Sequence, residues 1–406
     1  MLRIVQKFGG TSVADIERIK NAARLVKSEY DAGNQVVVVV SAMAGVTNQL
    51  VEYVNEIKDI CDPEEYDVVV SSGEQSNAGL MALAIQNLGI NARSFMGWQI
   101  PIQTDSVHTK ARIVNIDVRE LENCLKVGKI AVIPGFQGIS QKNQVTTLGR
   151  GGSDLTAVAL AGALKADRCD IYTDVDGIYT TDPRVTGKAQ KIEKITYEEM
   201  LEMASLGSKV LQTRSVELAM NYNVKVQVRS SFTDTSGTIV TSEDEIMEQQ
   251  VVSGISQSKD EAKITLLKVA DKPGIAAAIF GPLADAEINV DMIVQNVSED
   301  GKTTDLTFTV SENDLENAVN VLDKKKSDIG IGEIVADSDV VKISVVGVGM
   351  RSHAGVAQKM FKTLAGKGIN IKVISTSEIK VSVLVAEEYG ELAIRALHTA
   401  YGLDAN

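Results

Sequence analysis

Cysteine is scarce in this chain: Cys61, Cys124 and Cys169 are the only three in 406 residues, and they lie far apart. Without paired spacing they offer neither a disulfide framework nor a zinc site, and a reducing, cytoplasmic setting is expected. Positive charge is also short, with 41 Lys and Arg against 54 Asp and Glu for a formal charge of -13. That balance disfavours nucleic acid or an anionic membrane as the main partner, so any anionic ligand must be held by local cations. No apolar run approaches the ~20 residues that span a bilayer, and the N-terminus lacks the basic-then-apolar order of a signal peptide. Two phosphate motifs are missing as well. In "GVGMRSHAG" (347–355) the third glycine comes six residues after the second instead of three, and "GKT" (301–303) has Asn296 where a Walker loop needs glycine. The H-R-D and D-F-G signatures of protein kinases are absent. What is present, 44% hydrophobic and 23% charged residues, suffices for two or three soluble domains.

The first 230 residues alternate buried-type strands with amphipathic helices, which predicts a mostly parallel open sheet covered on both faces. The clearest predicted strands are "QVVVVVSAM" (35–43), "YDVVVSSGE" (66–74), "KIAVIPGFQG" (129–138) and "CDIYTDVDG" (169–177). Each runs into small or polar residues at its C-terminal end, where open α/β sheets hold their ligands, so the four ends read as one site. Between 230 and 250 the pattern breaks into hydroxyl and acidic residues, and a domain boundary is expected near residue 245. Beyond it, 263–296 and 341–378 share one plan of strand, glycine-bearing turn, helix and strand, an internal repeat of roughly 75 residues. Each copy continues with a further strand (302–310 and 379–387) and a further helix. The first copy closes with a strand near 331–336, whereas the second ends in "YGLDAN", too brief and polar for one. "QVVSGISQS" (250–258) alternates like a strand but has no partner of its own, and it is expected to complete the second copy. The first copy would then be inserted within the second.

"VQKFGGTSV" (5–13) ends an apolar opening with a lysine, two glycines and two hydroxyl residues. Two readings stand: a tight strand-to-helix corner capped by Thr11 or Ser12, or a phosphate cradle of glycine N–H groups assisted by Lys7. "TTLGRGGSDLTAVALAGAL" (146–164) sets Arg150, two glycines, Ser153 and Asp154 before an alanine-rich helix. Ser153 or Asp154 suits an N-cap, yet an arginine beside glycines adds bidentate carboxylate binding that a cap does not require. "IYTDVDGIYTTDPR" (171–184) gathers tyrosines, threonines, aspartates and an arginine in a loop, more than a solvated turn needs, and suggests a nucleotide-facing role. Glu74 of "SSGEQ" (71–75) serves either as an acid complementing a helix dipole or as a partner for an ammonium group.

"KFGGTSV", "SAMAGVTN" (41–48), "SSGEQ", "GFQG" (135–138), "TTLGRGGSD", "VDGIYTTDPR" and "GSKVL" (207–211), taken in this order, resemble the aspartate kinases of the monofunctional, lysine-sensitive kind. The resemblance covers essentially the whole chain. It implies an amino acid kinase fold, an αβα sandwich over residues 1–245, followed by two ferredoxin-like ACT domains of βαββαβ plan. These would span 263–337 and 338–406, the second completed by 250–258. It also implies transfer of a phosphoryl group from ATP, with Mg2+, to the β-carboxylate of L-aspartate. The products would be 4-phospho-L-aspartate and ADP, at the first step towards lysine, threonine, methionine and diaminopimelate. Position by position, Lys7, Gly9 and Gly10 would bind the ATP phosphates with Ser41 close by. Thr47, Glu74, Arg150 and Ser153 would hold aspartate, Arg150 at a carboxylate and Glu74 at the α-ammonium. Asp154 would organise the reacting centre, and Thr173, Asp174, Tyr179, Asp182, Arg184 and Lys209 would line the nucleotide pocket. The protein ligands of magnesium stay open. One departure is "VLQTRSVELA" (210–219), with Gln212-Thr213 where relatives commonly carry His-Pro. The chemistry agrees: an already ionised carboxylate needs positioning and charge neutralisation, not a strong base, and His108, His353 and His398 all lie outside the motifs.

The resemblance further implies ACT domains paired side by side, with an amino-acid effector, lysine or threonine or both, at their interface. Its contacts would be Asp271, Gly274, Asn289, Asp291 and Gln295 in the first repeat and Asn370, Ile371, Ser377 and Glu378 in the second. A homo-oligomer through these domains is expected, and Met247 would be the start of a separate small regulatory subunit if used internally. No stretch remains for a nicotinamide-binding domain, so a single activity is expected. The alternatives are another amino acid kinase, disfavoured by the ACT pair and by Glu74 with Arg150, and a non-catalytic amino-acid sensor, disfavoured by Lys7 and Asp154.

Overall fold

The computed structural model describes residues 1–57, 62–205, 210–246, 250–297 and 303–404. They form two compact units, one from Met1–Ile178, Lys191–Ser205 and the described part of Lys209–Glu248, the other from Tyr179–Gln190 and the described part of Gln249–Asn406.

The first unit is organised by an eight-stranded sheet. Its spatial order is Lys194–Thr196, Thr238–Thr241, Val226–Ser230, Arg168–Thr173, Arg3–Phe8, Gln35–Val40, Ile130–Pro134 and Ala92–Ser94. All neighbours run parallel except Val226–Ser230 against Thr238–Thr241. The five consecutive valines of Gln35–Val40 are all buried, as a strand covered on both faces requires. On one face Val36, Val38 and Val40 share a core with Ile19 and Ala23 of the helix Ile16–Asp31 and with Ala78 and Met81 of the helix Pro63–Gln86. The helices Gly152–Ala163 and Thr213–Tyr222 pack against each other in the same unit, the former also against Arg3–Phe8. A small sheet, Ile113–Ile116, Ile102–Thr104, Gln137–Ile139 and Val145–Thr147, completes the unit.

Residues 66–74 correct the sequence reading: they lie inside the 24-residue helix Pro63–Gln86 and are not a strand. The valine run Val68–Val70 pointed to a strand because β-branched residues favour one. The helix prevails because its buried positions, Asp67, Val70, Ser71, Glu74, Asn77, Ala78, Met81 and Ile85, recur at helical spacing. Half of that inward face is polar, so a hydrophobic pattern alone does not reveal it. Asp62 caps the first turn through Glu64 N, and Pro63 fixes the first helical position.

The second unit contains two four-stranded sheets. In the first, the order is Asp291–Val297, Thr303–Val310, Ala262–Ala270, Glu333–Asp337, with the helices Ile275–Asp285 and Leu315–Ile329 closing one core. In the second, the order is Gly254–Ser258, Val340–Val346, Lys380–Ala386, Val373–Thr376, with Val356–Gly366 and Gly390–Ala400. Gly254–Ser258 pairs antiparallel with Val340–Val346 in unbroken register from Gly254↔Val346 to Ser258↔Lys342. It thus occupies in the second sheet the edge position that Glu333–Asp337 holds in the first. No helix among the described residues is long and apolar enough to cross a membrane.

Candidate active site

The central parallel strands Arg168–Thr173, Arg3–Phe8, Gln35–Val40 and Ile130–Pro134 end side by side, and the sequence after each end is built for close approach. A Cβ on Gly9 would stand 3.3 Å from Tyr172 O and 3.4 Å from Lys7 Nζ, and one on Gly10 would stand 3.0 Å from Ala42 O. These glycines let the Gly10–Val13 turn lie against neighbouring strand ends. Gly9 N donates to Tyr172 O, Ser12 Oγ lies 2.8 Å from Ser231 Oγ, and Ser41 N donates to Phe8 O. Thr47 sits half-buried at the start of the Val46–Ile57 helix.

Lys7 lies near the end of its strand with only 10% of its side chain exposed, and its Nζ lies 2.6 Å from Asp154 Oδ1. Asp154 and Ser153 are buried in the first turn of Gly152–Ala163, whose N-cap Gly151 has φ 74°. A side chain at Gly151 would run into Gln212, so Gln212, one of the two departures from the relatives' usual pattern, packs tightly over this turn. Ser153 Oγ donates to Glu74 Oε1 at 2.8 Å. Gly135 admits this pair: a Cβ there would meet Ser153 at 2.7 Å and Glu74 Oε2 at 3.0 Å.

Glu74 is the most perturbed acid of the site. Burial pushes its carboxyl up to about 8, only partly offset by the Ser153 hydrogen bond, the Lys7 ammonium and the nearby Ala42 amide, while Asp154 pushes it further up. Its Oε2 has no hydrogen-bond partner. A buried acid beside a lysine, with one oxygen lacking a hydrogen-bond partner, has the chemistry to receive a cationic group.

Arg150 is exposed on the turn before the same helix. Thr173 and Asp174 follow the Arg168–Thr173 strand, with Thr173 Oγ1 donating to Asp174 Oδ1 at 3.1 Å. Lys7, Gly9, Gly10, Ser41, Thr47, Glu74, Arg150, Ser153, Asp154, Thr173 and Asp174 therefore all belong to the first unit. Tyr179, Asp182 and Arg184 do not: they lie in Tyr179–Gln190, which belongs to the second, and Arg184 pairs with Asp182 at 2.8 Å. Lys209 lies outside the described residues, as does Met247.

Two supporting residues escaped the sequence reading. Asn77 Nδ2 donates to Ser41 O at 2.6 Å, and Gln137 Nε2 donates to Ser71 O at 3.2 Å, tying the Glu74 helix to two strand ends. The helical spacing Asp67, Glu74, Asn77 was the available signal.

Among the effector candidates, Gly274 is the left-handed N-cap (φ 89°) of Ile275–Asp285, and Asp271 is exposed just before it. Asp291 Oδ2 lies 2.9 Å from Nζ of the buried Lys342, which also pairs with Glu261. Burial opposes its ionisation, but the Lys342 ammonium holds Asp291 below the ordinary carboxylate range. Asn289, Gln295, Asn370, Ser377 and Glu378 are exposed and Ile371 half-buried; Ser377 N donates to Lys380 O, and Glu378 lies 3.5 Å from Arg351.

A mostly parallel sheet whose central strands end in glycine-bearing turns, accompanied by two four-stranded modules with two helices each, is the architecture of an amino acid kinase domain followed by ACT domains. Residues 2–230 match the amino acid kinase family, and 263–326 and 343–401 each match an ACT domain. The aspartate kinase of Stutzerimonas stutzeri is 56% identical over 406 residues, covering 100% of this chain and 98% of that protein. The aspartokinase of Mycolicibacterium smegmatis is 47% identical, covering 99% and 97%. The crystal structure of E. coli aspartokinase III in complex with aspartate and ADP (R-state) matches with a TM-score of 0.81 at 27% identity, covering 98% of this chain and 99% of that one. The chain belongs to the aspartate kinase family.

Proposed function

We propose that this kinase transfers the γ-phosphoryl group of ATP to the β-carboxylate of L-aspartate, giving 4-phospho-L-aspartate and ADP. The observation that supports the residue assignment is the pairing of Lys7 with Asp154 at 2.6 Å beside Glu74–Ser153, where Gly135 leaves no room for a Cβ and Gly9 leaves little. On this reading the N–H groups around Gly9 and Gly10 and the Lys7 ammonium receive the phosphates, with Ser41 close by. Asp154 holds Lys7 in place, and as the phosphoryl group arrives the ammonium turns to neutralise charge on its oxygens. Glu74 takes the α-ammonium, Arg150 a carboxylate, and Ser153 and Thr47 complete the substrate pocket. Thr173 and Asp174 serve the nucleotide.

Magnesium accompanies ATP in such reactions and supplies charge neutralisation on the phosphates. Among the described residues no group of three or more His, Cys, Asp or Glu could hold a metal, and the protein ligands of magnesium stay open. The reaction places the enzyme at the head of a cytoplasmic route to lysine, threonine, methionine and diaminopimelate. Regulation by lysine or threonine at the ACT modules, a homo-oligomer built through them, and a small subunit started at Met247 belong to the same proposal. So do the domain limits 1–245, 263–337 and 338–406, the last completed by 250–258.

ADP release measured with aspartate, glutamate or acetylglutamate, with and without lysine and threonine, tests it. Turnover that does not depend on aspartate would overturn the substrate assignment.

A further inference from the structure

Asp67 sits in the first turns of the Pro63–Gln86 helix, fully buried, with no arginine or lysine paired to it among the described residues. Its carboxylate instead collects hydrogen bonds from two other segments. Thr147 gives its N–H to Oδ2 at 3.0 Å and its hydroxyl to Oδ1 at 2.5 Å. Thr109 N lies 3.1 Å from Oδ2, and His108 Nδ1 lies 2.8 Å from it.

Each partner leads to the substrate side of the cleft. Thr147 is the last strand residue before the turn that carries Arg150 and Ser153. His108 and Thr109 form a strap whose far end, Ala111 O, is held by Arg214 Nη2 at 3.1 Å, while Arg214 Nη1 holds Leu148 O at 2.6 Å. Thr109 has φ 66°, a costly conformation for a β-branched residue that persists only when its surroundings impose it. Asp67 accepts from Thr109 N, and the Thr109 carbonyl lies beside the Arg150 turn, close enough that a Cβ on Gly149 would stand 3.2 Å from it. Glu74 stands seven residues along the same helix from Asp67, two turns away on the same buried face.

We propose that Asp67 is a positioning residue that sets the spacing between Glu74 and the Arg150–Ser153 turn, and with it the fit of the amino-acid substrate. It touches neither substrate nor nucleotide. Its carboxylate fastens the helix bearing one substrate contact to the strap and strand end that aim the others. This rests on the reading that Glu74, Arg150 and Ser153 hold aspartate.

In the full-length enzyme, Asp67→Asn preserves shape but turns an amide donor toward groups that are themselves donors. The KM for aspartate should rise about tenfold or more, with the KM for ATP changing by less than about twofold. Thr147→Val removes one bond without introducing a misfit donor and should shift aspartate KM in the same direction by a smaller factor. That selectivity is what a general loosening of the fold would not produce. Parallel increases in both KM values, or an unaltered aspartate KM, overturn the proposal; if Asp67→Asn does not fold, Thr147→Val is judged by the same criterion. Arg150→Ala separates the two claims. If it leaves aspartate KM unmoved, the substrate assignment fails and the role of Asp67 fails with it. If it raises aspartate KM while Asp67→Asn and Thr147→Val do not, only the positioning role falls.

Discussion

With Glu74 as the proposed partner of the α-ammonium, aspartate capture is expected to be proton-linked. Its carboxyl is pushed from 4.5 up to about 8 by burial, so in the free enzyme at neutral pH it is mostly the neutral acid. An α-ammonium needs the carboxylate. Only the ionised fraction is competent, and below the shifted value that fraction falls tenfold per pH unit, to roughly one part in ten at pH 7. kcat/KM for aspartate, which reports ionisations of the free enzyme, should therefore climb about tenfold per unit from pH 6 and level off above about 8. Glu74→Gln should be weak throughout and should lose this ascending limb. The stability consequence has a definite sign: a folded value of about 8 against 4.5 unfolded means the native state keeps an extra proton between those values, and stability declines as pH rises across that window. The full span corresponds to about 5 kcal/mol, which Glu74→Gln would escape. Steady-state ADP release at saturating ATP from pH 6 to 9, with melting curves of both proteins at pH 5 and pH 8, supplies the measurement. A wild-type kcat/KM that is flat between pH 6 and 8, or a Glu74→Gln profile with the same slope, refutes the reasoning.

Lys7→Ala and Asp154→Ala should each lower kcat by about 100-fold or more while affecting aspartate KM less, as removal of transition-state charge stabilisation does; near-normal turnover would dismiss the assignment of that residue. Asp291→Ala should relieve effector inhibition with basal turnover largely kept, read from dose–response curves with lysine and threonine; unmoved curves place the effector elsewhere. Because Gly254–Ser258 pairs with Val340–Val346, amides of 254–258 should exchange together with those of 342–346. A chain starting at Lys263 should lose stability mainly in the module containing Val340–Val346; normal folding of that module would contradict the pairing's importance.

The sequence made some of this legible and hid the rest for identifiable reasons. The valine run 36–40 and the repeat after residue 262 announce themselves because their burial is apolar and periodic. The motifs identified the family as a set because they recur in one order along the whole chain. The Glu74 helix was not readable, since its inner face carries Asp67, Ser71, Glu74 and Asn77 where a core helix normally carries aliphatics. Polar satisfaction, not hydrophobicity, keeps that face inside, and hydrogen-bond partners 40 to 80 residues away do not appear in local pattern. The grouping of Tyr179–Gln190 with the second unit was equally hidden. It depends on contacts such as Thr180 Oγ1 to His398 Nε2, separated by 218 residues.

The strand Gly254–Ser258 also dictates an order of events during synthesis. It leaves the ribosome before any of Ala262–Asp337, yet its partner begins only at Val340. At 5–20 residues per second the wait is on the order of ten seconds, long compared with the folding of a small module. In that interval Ala262–Ala270, Asp291–Val297, Thr303–Val310 and Glu333–Asp337, all near one another in the chain, can close their own sheet. The waiting strand is short, and Ser256, Gln257 and Ser258 make it a poor template for stray pairing between nascent chains. The module that opens first in the chain is thus the last to be finished.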